Sequence, residues 1–225
     1  MRALVRFLAL SLILLAFVAP ARATDVFTDE LAFLAASGPL IMESFECFEP
    51  EDPAESDPIL TSWFTMTIEP AFGSTIAPMS IQGAGFPNGP HPTHGDRQVL
   101  AGNTSFTNGQ FELTFTFDYP IAEFALWITD FGDYNSGSLT FANDAGDVYV
   151  ILSNPPQQPD GGEAFFGVRN TDQPFQTVVL SKSTQGDGIG MDQVRFSGIG
   201  TIDCGIVAAP SVDGATWGQV KSRYH

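Results

Sequence analysis

The sequence predicts an all-β fold, an antiparallel two-sheet sandwich of jelly-roll type with one short N-terminal helix, and three observations predict it. Short segments that alternate apolar and polar residues recur at even spacing, glycine- and proline-bearing turns separate them, and 20 phenylalanines in 225 residues supply an interior. No internal repeat and no second domain is visible.

Arg2 and Arg6 precede an apolar run that ends in the small-x-small pattern Ala21-Arg22-Ala23. Residues 1–23 therefore read as a secretory signal peptide, cut after Ala23, with a run too short for a membrane span. Export makes the chain a secreted or cell-surface protein, with a sandwich expected over 24–204 and a linker and short tail over 205–225. After the cleavage point, Thr28 is the predicted N-cap of a helix carrying Leu31, Phe33 and Leu34 on one stripe, and Gly38-Pro39 stops it. Leu40 to Phe48 reads as the first strand, followed by an acidic, proline-bearing loop to Asp57.

Ile59 to Pro70 is expected as one strand and Ile76 to Phe86 holds a weaker one. Pro87 to Asp96 is loop, because proline and glycine recur too often for anything regular. It contains His91, His94 and Asp96, a spacing that could bind zinc but that two prolines keep off a helix, so an exposed loop is the favoured reading. Gln110 to Tyr119 is the clearest strand, with Phe111, Leu113, Phe115, Phe117 and Tyr119 on one face. Phe124, Leu126 and Ile128 alternate with Ala125 and Trp127, as in a strand covered on both sides. Asp130 and Asp133 fall in a turn-rich surface loop. A hairpin then turns through Asn143-Asp144-Ala145-Gly146, and three further strands begin near Ala164, Phe175 and Ile189.

Charge excludes some partners. The full chain carries −17, and three of its nine basic residues lie in the first 23 positions with no acid, so the exported part holds 6 minus 26, or −20. Nucleic acid and anionic lipid are poor partners for such a surface, whereas divalent cations and neutral glycans remain open. Cys47 and Cys204, 157 positions apart, are expected to form a bridge in an oxidising compartment, worth about 3 to 5 kcal/mol.

One acid stands out. On a regular strand from Ile189 to Phe196, Asp192 shares a face with Val194 and Phe196, and a carboxylate among apolar neighbours needs a cation or several donors. It either caps a loop or bulge, or grips an ion. The pair Phe45-Glu46, the segments PheGluLeuThrPheThrPhe, PheAlaLeuTrpIleThrAsp and PhePheGlyVal, and the closing GlyIleGlyMetAspGlnValArgPhe resemble secreted bacterial β-sandwich domains, many of which carry a PEP-CTERM sorting tail. More distantly, they resemble jelly-roll carbohydrate-binding modules that hold a structural calcium between an acid of the first strand and paired acids of the last. The resemblance runs from Val26 to Gly198 and implies Glu46 and Asp192 as metal ligands, with Asp187 in reserve and Gln193 standing where the second acid of the pair would be. Calcium takes about six to eight oxygens, so carbonyls of the Gly186 to Gly190 loop would have to contribute.

The C-terminus lacks the PEP motif, the span and the basic stop of a PEP-CTERM tail. Its Trp217, Gly218, Lys221 and Tyr224 resemble the short tails of other secreted bacterial proteins and imply docking to a sorting or anchoring partner; a frayed terminus is the alternative. Three histidines and no Gly-x-Ser-x-Gly elbow argue against a nucleophilic hydrolase. The function expected is a non-catalytic module that binds a glycan or extracellular matrix, with Trp63 and Tyr134 as stacking residues and Trp127 chiefly core. The alternative is a polysaccharide-active hydrolase or lyase of sandwich fold, which needs paired acids across a cleft.

Overall fold

A computed structural model describes residues 24–49, 58–70, 79–83, 89–102, 110–131, 137–154, 162–183 and 188–198. The expected signal peptide, the tail after Cys204, and Cys204, Tyr134 and Asp187 themselves lie outside these residues.

Thirteen strands and one helix are present among the described residues. β1 (Asp25–Phe27), β2 (Leu40–Glu43), β5 (Met79–Gln82), β6 (Gln98–Ala101), β8 (Glu123–Thr129), β11 (Glu163–Arg169) and β13 (Ile189–Ser197) form one sheet. Its order is β1-β11-β8-β13-β6-β5, with β2 also paired to β13. The second sheet runs β10-β9-β12-β7-β4-β3, from β3 (Ile59–Leu60), β4 (Phe64–Pro70), β7 (Phe111–Ile121), β9 (Gly137–Asn143), β10 (Val148–Asn154) and β12 (Phe175–Lys182). The strand pairs among the described residues are all antiparallel, and the two-sheet fold expected from the sequence is the fold observed.

The core lies between the sheets and is built by alternation. On β7, Phe111, Leu113, Phe115 and Phe117 point inward while Glu112, Thr116 and Asp118 stay wet. Phe124 of β8 sits opposite them, with ring centroids 5.4 Å from Phe115, 6.1 Å from Phe117 and 5.9 Å from Phe141. Burying each such ring contributes about 1.5 to 3 kcal/mol.

A second apolar layer covers the outer face of the seven-stranded sheet. The helix α1 (Glu30–Ala36) lays Phe33 over Ala125 and Phe165. Gly167 permits this, because a Cβ there would stand 2.8 Å from the Phe33 ring. β8 is thus covered on both faces, as its run of apolar residues predicts.

Several expectations need correction. The N-cap is Asp29, whose carboxylate accepts the Ala32 N–H at 2.8 Å, one residue after the predicted Thr28. The strand from Leu40 ends at Glu43, because Phe45 takes φ 61 and turns the chain, so Glu46 stands in a turn. The segment 59–70 is a hairpin, β3 and β4, closed by Thr61, whose hydroxyl accepts the N–H groups of Trp63 and Phe64. Asp130 is buried at the end of β8 and its N–H donates to Gly162 O, so it is no surface-loop residue.

Candidate functional site

β13 organises the site because one of its sides changes neighbour midway. It pairs with β6 over Ile189 to Met191 and with β2 over Val194 to Ser197. At the junction, Gln193 takes φ 50 and the register on β8 shifts between Asp192 and Arg195, a β-bulge. The bulge reverses the alternation. Ile189, Met191, Val194 and Phe196 all enter the central core, while Asp192, opposite Trp127, and Arg195, opposite Ala125, face the outer layer. The predicted sharing of one face by Asp192, Val194 and Phe196 is therefore overturned.

Asp192 is 0% exposed and fully hydrogen-bonded. One oxygen accepts the N–H groups of Thr93 at 2.8 Å and His94 at 2.7 Å and the Thr93 hydroxyl at 3.1 Å; the other accepts Gln193 N–H at 2.6 Å. Burial pushes the Asp192 carboxyl up, and these four donors pull it back. Arg195 adds a positive charge nearby, lowered by its own burial and held up by Glu30 and Asp192. Arg195 bonds the Gln193 side-chain carbonyl and pairs with Glu30 in the first turn of α1.

Glu46 grips the same loop three residues further on. Its carboxylate accepts the N–H groups of Asp96 and Arg97, each at 2.9 Å. Gly95, with φ +65, must be glycine here, since a Cβ would sit 2.3 Å from a Glu46 oxygen. The sequence thus picked two acids that the fold brings to one loop, 93–97.

Their visible partners are N–H and O–H donors. No group of three or more His, Cys, Asp or Glu residues able to hold a metal occurs among the described residues. Cys47 is not a free thiol.

His91 ties the start of the loop to β11. Its Nε2 lies 2.8 Å from Glu163 Oε1, its Nδ1 3.0 Å from Gly89 O, and its N–H donates to Thr129 Oγ1. The hydrogen bond to Glu163 raises the His91 pKa above the ordinary 6.5. A raised histidine stabilises the fold fully below about pH 6.5 and loses that stabilisation as pH rises through the folded value. The melting temperature should fall over that interval, and Glu163→Gln should flatten the fall.

A cleft of about 490 Å³ opens beside Glu163, where the N-terminus of α1 meets β10 and β11. Trp127, Phe165, Leu31 and Ile151 line it, together with Glu30 and Glu163. Trp127 is half-buried and meets Phe165 edge-on at 5.6 Å. Sequence reasoning missed this cleft, because its walls come from segments more than a hundred residues apart; the Trp127 alternation with Ala125 was the only signal. Trp63, the expected stacking residue, is half-buried against the core and packs edge-on to Tyr119 at 6.5 Å.

No protein-family model matches the chain, and no curated protein matches it in sequence. Among solved structures, the K1 cleaved adhesin domain of Lys-gingipain from Porphyromonas gingivalis is similar, with a TM-score of 0.45 at 15% identity, covering 72% of this chain and 100% of that one. The enzymatically active domain of bacteriophage CBA120 tailspike protein 4 gives 0.37 at 12% identity over 60% of this chain and 19% of that one. A family 11 carbohydrate-binding module from Clostridium thermocellum, solved with a β-1,3-1,4-mixed-linked tetrasaccharide, gives 0.34 at 12% identity, over 69% and 97% of the two chains.

Proposed function

We propose that this chain is a non-catalytic, exported β-sandwich module that binds a neutral glycan in the Trp127 cleft. The observation that carries this reading is a partly buried indole that lines the cleft beside carboxylates that already have other duties. A sugar ring can lay its C–H face on an aromatic surface while its hydroxyls donate to carboxylate oxygens. Each acid of the cleft is engaged: Asp29 caps α1, Glu30 pairs with Arg195, and Glu163 bonds His91. A hydrolase or lyase would need a nucleophile or general acid released from such roles.

The 93–97 loop serves this reading as scaffold. A structural calcium held by Glu46 and Asp192 belongs to the same proposal, and binding it would require the carboxylates to exchange amide donors of the loop for the ion. Two carboxylates supply at most four of the roughly six to eight oxygens calcium takes, so main-chain carbonyls or water would complete the set.

Affinity electrophoresis through gels containing soluble β-glucan, xylan, mannan or dextran tests the binding reading. We expect at least one polysaccharide to retard the wild-type chain and not Trp127→Ala. Free passage through all four, or equal retardation of both proteins, would contradict it. Thermal melting with calcium or chelator tests the ion, with a rise expected in the wild type and none in Glu46→Gln.

A further inference from the structure

The five edge strands among the described residues are unequal. β3 has two residues, β1 three and β2 and β5 four each, whereas β10 at the edge of the six-stranded sheet has seven. Short edges are one of the devices that prevent strands from pairing with other molecules, as are charged residues and proline. Val148–Asn154, VYVILSN, carries no charge and no proline, and its one register shift, a β-bulge between Val150 and Leu152, falls after the first three residues.

Its first half is also exposed and apolar. Val148 and Val150 are 68% and 63% exposed, while Tyr149 between them turns inward and stacks on Phe141. Of the five large apolar side chains exposed among the described residues, four lie on this side of the molecule: these two valines, Val26 of β1 and Leu31 of α1. The Thr24 hydroxyl, bonded to Asp147 at 3.0 Å, holds β1 beside the start of β10.

The backbone alternation settles which groups are open. The Asn143 N–H donates to Asp147 O, and Tyr149 pairs with Phe141 two residues on. In an antiparallel ladder the residues between such pairs turn their N–H and C=O groups away from the neighbour. Those residues are Val148 and Val150.

The geometry points to a second copy of this chain as the occupant of this edge, joined antiparallel about a two-fold axis through Tyr149. Val148 of one protomer then faces Val150 of its partner, twice. Each pair exchanges two N–H···O=C bonds, and the exposed valines cover one another on the same face. Two six-stranded sheets become one of twelve. The absence of charge on β10 is what suits it to its own copy, because antiparallel self-pairing brings no like charges together even in a chain of net charge −17.

Sedimentation equilibrium on the purified chain tests this. Wild type should dimerise. Val148→Glu with Val150→Glu places like charges opposite each other and should give a monomer, with the melting temperature of the monomeric fold retained because both side chains are exposed. Val148→Glu with Val150→Lys places opposite charges in the same register and should restore the dimer. A wild type monomeric at every concentration, a dimer that survives the double glutamate change, or a charge-swapped variant that stays monomeric would each overturn the proposal.

Discussion

Asp192→Ala is expected to destabilise the chain by about 3 to 5 kcal/mol, the lower part of what stranding three N–H donors costs. The change strands the N–H groups of Thr93, His94 and Gln193 and removes a negative charge that helps hold Arg195 protonated. Buried donors without acceptors cost about 1 to 3 kcal/mol each, so relaxation of the loop into water must recover part of the sum. Asp192→Asn keeps the volume but turns an amide donor toward other donors, and should fall between alanine and wild type. Urea denaturation measures both; a loss below about 1 kcal/mol for alanine would mean the loop stands without this acid.

Phe124→Ala should cost a similar amount, about 3 to 5 kcal/mol, for a different reason. Phe124 is fully buried at the meeting of both sheets, in contact with rings from β7 and β9. Truncation leaves a cavity walled by ladders that cannot close on it. The loss should appear with an unchanged denaturant slope, and Phe124→Leu should recover most of it.

These two residues also mark the limits of what the sequence reveals. Phe124 was legible because two-residue periodicity is local: an inward ring must recur at alternate positions, and β7, β8 and the hairpin β9-β10 all declare themselves this way. β6 was invisible for the converse reason, since Gln98 to Ala101 are buried on both faces and show no alternation. β1 is only three residues long, too short to carry a pattern. For Asp192, the need for a partner could be read from its apolar neighbours, but its face could not. The reversal depends on the left-handed backbone at Gln193, a residue with no glycine-like signal. Its partners are backbone amides nearly a hundred positions away, and backbone amides have no sequence signature. Glu46 was found through its resemblance to a first-strand acid, although it acts from a turn.

The central claim is that two separate carboxylates hold the 93–97 loop, each by its own pair of amides. Residue-resolved hydrogen exchange of those four N–H groups tests it most directly. Wild type should protect Thr93, His94, Asp96 and Arg97; Asp192→Asn should release the first two and Glu46→Gln the last two. Rapid exchange at all four in the wild type, or loss at all four in either variant alone, would contradict the account.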